Sequence, residues 1–199
     1  MNRAIGRAGA GITGVAVLCF AACMPARFDF GSYVACMFLA FGFLMMTAGF
    51  RAECPEERRA AGDLGMAFAC VYAVLVLLVY FAQVTAVRLD ALGGTAMGIL
   101  DYRRFGLFFD YDLLGYGMMA LSTVFTGLTV GAETKGGKAL KRLLLVHGVF
   151  FLSCFFVPML GVFSTDGPDW VGIVLLEFWC VYFLPIAVLA FVHFKKHEI

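Results

Sequence analysis

Glu177 is the one carboxylate inside the apolar run Trp170–Phe194. A charge in such a run costs at least ~2.5 kcal/mol in a membrane unless it is paired, hydrated or protonated. Residues of this kind carry a proton, hold a ligand, or act as structural hydrogen bonders. At 1.5 Å of rise per residue, Glu177 lies about 12 Å below the start of its run. Several polar groups stand where they could answer it. Gln83 and Arg88 end the run Leu64–Val87, and Arg103 and Arg104 follow in the next connection. Asp110, Asp112 and Tyr116 open the run Leu113–Ala132. The expectation is a polar pocket lined by these eight residues. Glu177 is its charge or proton carrier, and Arg103 or Arg104 is a bidentate partner.

Other chemistry is less well supported. His147 is a single imidazole on its run, placed by depth in the opposite leaflet from Glu177. A bond to a neighbouring helix suits it better than a relay. Ser122, Thr126 and Thr129 form one hydroxyl stripe, of a kind that usually bonds its own helix and packs tightly. His193 and His197 sit four apart at a helix end. Asp110 and Asp112 are two carboxylates that could approach a divalent cation, but they are a thin ligand set. The seven cysteines contain no Cys-x-x-Cys pair and read as small hydrophobes, although a Cys23–Cys36 bridge is geometrically conceivable. No phosphate-binding glycine loop, Gly-x-Ser-x-Gly elbow or His-Glu-x-x-His motif is present, so no cofactor or metal is expected and an enzyme is unsupported.

The elements that must position these residues are plain. The chain has 199 residues, 62% hydrophobic and only 15% charged, against about 25% charged in soluble domains. Its net charge of +1 makes no electrostatic case for nucleic acid. Six apolar runs, approximately 8–24, 31–50, 64–87, 113–132, 143–165 and 170–194, each approach the ~20 residues needed to cross a bilayer as a helix. The fold class expected is all-α. It is a polytopic bundle of six transmembrane helices forming a single domain over 1–199. The first run ends in Phe20-Ala-Ala-Cys23, similar to a lipoprotein cleavage box, but Pro25 follows almost at once. It is read as a membrane helix.

Basic residues orient the bundle. Arg3, Arg7, Arg51, Arg58, Arg59, Lys135, Lys138, Lys141, Arg142, Lys195 and Lys196 fall on one side, and Arg27, Arg88, Arg103 and Arg104 on the other. The positive-inside rule then places both termini in the cytoplasm, in a cell (inner, cytoplasmic) membrane. Glu177 and its candidate partners share the outer leaflet.

Three local features complete the reading. Gly6, Ala10 and Gly14, with Ala61, Gly65, Ala69 and Ala73, give small-residue faces suited to close helix packing. Thr134-Lys-Gly-Gly-Lys reads as a solvated turn, and Pro158 and Pro185 as kinks. The stretch Arg88–Asp112 is too apolar and aromatic for a free linker. It is expected as an ordered interfacial segment between the third and fourth helices. The function expected is binding or transport of a small molecule or lipid through the outer pocket. The alternative is an accessory or scaffold subunit of a membrane complex, with a homo-oligomer as one form. A membrane enzyme using Asp110, Asp112 and Glu177 is a weaker third.

Overall fold

The computed structural model describes residues 1–90, 92–161, 163 and 169–195. It is all-helical among these residues, and helix α1 spans Asn2–Cys23, α2 Asp29–Ala52 and α3 Arg59–Ala82. A 3₁₀ turn, Glu56–Arg58, leads into α3, and a π-helical turn, Gln83–Val87, extends it. A short helix, α4 (Gly94–Leu100), and a 3₁₀ turn, Tyr102–Arg104, then precede α5 (Leu107–Thr129). Helices α6 (Lys135–His147) and α7 (Val149–Phe156) follow almost without interruption, and α8 (Asp169–Lys195) closes the bundle.

Five stretches are long and apolar enough to cross a membrane: Asn2–Cys23, Asp29–Ala52, Glu56–Val87, Lys135–Leu160 and Trp170–Lys195. Their outward faces carry Leu18, Phe38, Val74, Phe81, Leu152 and Phe178, all exposed. So much exposed apolar surface suits lipid and not water, and the chain is a multi-pass membrane protein. Helix α5 has the length, with 23 residues, but not the apolarity. It buries Asp112, Ser122, Thr123, Thr126 and Thr129. Enclosed by α3, α6 and α7, it has less need of a lipid-facing surface.

Small residues set the closest crossings. A Cβ on Gly9 would stand 2.7 Å from the Gly42 carbonyl oxygen, and one on Gly42 2.7 Å from the Thr13 amide nitrogen. The α1 and α2 backbones therefore touch. Gly65 plays the same part between α3 and α5, where Ser122 Oγ donates to its carbonyl at 2.7 Å. The core between them is aromatic. Phe43 (α2) meets Tyr72 (α3), and the stacked pair Trp179 and Phe183 (α8) meets Tyr116 (α5) and Phe43.

Several boundaries differ from expectation. The first helix begins at Asn2 instead of Ala8, and the fourth at Leu107 instead of Leu113. The largest change is in the fifth. Thr134 caps Lys135–His147 by accepting from Gly137 N at 3.0 Å. The segment then buries Leu140, Leu144 and His147. Capping and burial outweigh the weak helix propensity of Gly136 and Gly137. The helix breaks at Gly148, where a Cβ would lie 2.2 Å from Val124 Cγ2, and ends at Pro158 and Gly161, whose φ is +62°. The remaining residues expected in that helix lie partly outside the described ones.

Candidate functional site

The polar residues that the structure brings together cap one end of the bundle. The segment after α3 folds back over that end as a lid, and Gln83 is its latch. Gln83 is 3% exposed. Its Nε2 donates to the Leu100 carbonyl at 2.7 Å, and its Oε1 accepts from Tyr102 N at 3.0 Å. A π-helical turn places Gln83, in the kind of local irregularity often found at functional sites. Asp101 holds the other side of the lid. Its buried carboxylate accepts from Arg103 N at 3.1 Å and lies 3.4 Å from Arg103 Nε and 3.6 Å from Arg104 Nε. Arg103 also reaches Asp29 at 3.7 Å, which ties the lid to α2.

Beneath the lid lies Asp112, 2% exposed. Tyr80 Oη donates to its Oδ2 at 3.0 Å and Tyr102 is a second phenol acting on the carboxyl, while its Oδ1 makes no hydrogen bond of standard geometry. Tyrosine rings wall it in. Tyr33 and Tyr80 stack at 5.4 Å, and Tyr102 enters between them and Phe109 at 5.1–6.1 Å. Burial, and after it the Asp112 carboxylate, pushes the Tyr102 phenol well above the usual tyrosine range. It stays a neutral O–H donor at the lid's inner surface. A buried carboxyl with one bonded oxygen and one without a standard hydrogen bond can exchange a proton, or can receive one further donor.

The expected residues divide as follows. Gln83, Asp112, Arg103 and Arg104 belong to the lid and its floor. Tyr116 lies one turn deeper on α5, where its Oη meets Cys36 Sγ at 3.5 Å. Arg88 is at the rim, with Nε donating to the Val84 carbonyl and its guanidinium over Phe30. Asp110 faces outward and exposed, so the two carboxylates do not converge. Glu177 stands apart on α8, which packs chiefly on α1 and α6. One of its oxygens is buried without a hydrogen-bond partner. Among the described residues, no hydrogen bond or ion pair joins it to Gln83, Asp112 or the three arginines. Arg103 and Arg104 are held by Asp101 instead, because a carboxylate two or three residues away is reached without the lid entering the bundle.

His147 and Glu177 are closer in depth than expected. Trp179, two residues beyond Glu177, donates its indole N–H to His147 Nε2 at 3.1 Å. Thr123 Oγ1 donates to the Ala120 carbonyl at 2.8 Å and lies 2.9 Å from His147 Nδ1. The hydroxyl proton is used, so Nδ1 donates and Nε2 accepts. His147 is thereby a neutral, fully bonded imidazole joining α5, α6 and α8. The earlier start of α6 moves it deeper than a helix starting at Leu143 would. The hydroxyl stripe is likewise structural, with Thr129 Oγ1 donating to the Thr126 carbonyl. All seven cysteines are free thiols.

Three residues of the site carried little sequence signal. Tyr33, Tyr80 and Tyr102 are ordinary residues of membrane helices and their connections, and only their convergence on Asp112 sets them apart. A second polar cluster joins His193 to Arg3 and Arg58, two of the basic residues that orient the bundle. Glu53 accepts from Arg3 Nε at 2.6 Å and meets His193 Nε2 at 2.9 Å. It borders a cavity of about 340 Å³ shared with Arg58 and Glu133 at the opposite end of the bundle. His197 lies outside the described residues. No cluster of three metal-ligating side chains occurs among the described residues. Compared with known protein families, curated proteins and solved structures, the chain matches none.

Proposed function

We propose that this chain crosses the cell membrane six times, α5 included, with both termini cytoplasmic. In this reading it binds or transports a small solute through its lidded outer end, with Asp112 as the charge or proton carrier. The carrying observation is a fully buried carboxyl, directly beneath a latched lid, whose Oδ1 makes no hydrogen bond of standard geometry. Asp112 takes the role expected of Glu177 because tyrosines surround it and Gln83 closes over it. Gln83, Arg103 and Arg104 hold the lid through which a solute would pass. Proton gain neutralises a charge that the apolar bundle disfavours, and proton loss calls for a new donor or cation. The alternative, an accessory subunit, drew on small-residue faces. Of those residues Gly6, Ala10, Gly65, Ala69 and Ala73 are buried inside this bundle, which weakens that case.

The test is reconstitution in liposomes with an entrapped pH-sensitive dye and an imposed membrane potential. Wild type is expected to pass protons faster than empty vesicles, and Asp112→Asn to abolish the excess. Infrared difference spectra across an acid-to-neutral step should lose one carboxylic C=O band in the same variant. If wild type equals empty vesicles and Asp112→Asn leaves the spectrum unchanged, the proton-carrier role fails.

A further inference from the structure

A second feature lies outside the lidded site. Between α1 and α2 runs a groove of about 680 Å³, within the ~300–1,000 Å³ range of ligand pockets. Small residues on both helices help to line it, Gly11 and Ala16 from α1 and Gly31 and Ala35 from α2. Its remaining surface comes from apolar side chains and the thiols of Cys19 and Cys23, so it offers no charged group to a solute. Its rim is different. Phe30 closes the mouth, and the guanidinium of Arg88 sits 5.3 Å from that ring's centroid. Arg88 is exposed, and among the described residues it has no carboxylate partner. Asp29, the nearest acid along α2, is taken by Arg103. Asp90 is exposed two residues further on and forms no ion pair with Arg88. Stacking on Phe30 and the Nε bond to the Val84 carbonyl hold the guanidinium in place, with its two terminal NH2 groups available to an anion.

We infer that the α1–α2 groove is a binding site for one anionic phospholipid, with an acyl chain between Val15, Cys19, Val34 and Phe38 and its phosphate on Arg88. An apolar slot open to hydrocarbon and ending at an unneutralised arginine matches the two halves of that molecule. The occupant is a lipid because the slot lacks the polar groups that would orient a water-soluble ligand. This site is independent of Asp112 and stands whether or not protons cross.

The test uses phosphatidylglycerol and phosphatidylcholine carrying the same photoactivatable acyl chain, with the purified protein in nanodiscs. Adducts are expected on peptides covering 11–38, with phosphatidylglycerol labelling about tenfold more than phosphatidylcholine, because both carry the phosphate but the choline cation of the second opposes Arg88. Arg88→Gln should remove that preference and leave phosphatidylcholine labelling unchanged. Cys19→Trp fills the slot from an exposed position and should suppress both. Val15→Phe does so independently should Cys19→Trp fold poorly. Labelling spread equally over α7 and α8, insensitivity to both slot-filling variants, or a groove-to-groove dimer would each overturn the inference.

Discussion

Replacing Gln83 by Ala tests whether the lid is held as the structure shows. The amide makes two bonds to the lid, to the Leu100 carbonyl and from Tyr102 N. Each is worth about 0.5–1.5 kcal/mol net, and a group left buried and unpaired costs about 1–3 kcal/mol. Leu100 and Tyr102 are only partly buried, so water recovers some of that loss. The lid should therefore open more easily by about 2–3 kcal/mol, or roughly 30- to 150-fold in its opening equilibrium. Hydrogen–deuterium exchange in nanodiscs reads this directly. The reporters are Tyr102 N itself, together with the amides of Asp101, Arg104 and Phe105. These three bond only within the lid, to Met97, Asp101 and Tyr102. They should exchange faster by that factor, while amides in the middle of α3 stay protected. Gln83→Leu, which keeps the volume but not the bonds, should behave like the alanine variant. Unchanged exchange in the lid, or an equal rise along all of α3, would refute the latch and with it the gated site.

Two further predictions concern the bundle itself. Gly9→Ala places a Cβ 2.4 Å from the Met46 amide nitrogen, a backbone atom that cannot rotate away. It should cost about 1–3 kcal/mol or more in unfolding from mixed micelles. Gly11→Ala, whose Cβ meets only Phe191 at 3.6 Å, should be near neutral, and equal losses would contradict the close α1–α2 crossing. His147→Leu leaves the Trp179 N–H unpaired at about 1–3 kcal/mol. Adding Trp179→Phe should recover part of that loss, giving a coupling of about 1 kcal/mol in a double-mutant cycle. Strict additivity would show that the indole–imidazole bond is absent.

The sequence by itself determined the class. Long uncharged runs require helices in lipid because every backbone polar group must be satisfied within its own segment. It also flagged Gln83, Asp112 and the unusual Arg88–Asp112 connection, because polar or aromatic residues stand out against an apolar background. Tertiary structure decided which of these meet. Helical depth can be counted along one run, but the azimuth that turns Asp112 toward Tyr80, and leaves Glu177 on a helix packed against α1 and α6, is set by packing between runs. The depth count itself failed for His147, since Thr134 capping and the burial of Leu140 and Leu144 start α6 eight residues early. Arg103 and Arg104 carried the right charge for Glu177, but Asp101 was nearer along the chain, and proximity settled the pairing. The site is a matter of which faces touch, and that information is distributed over Gly9, Gly42, Gly65 and their neighbours instead of residing in any motif.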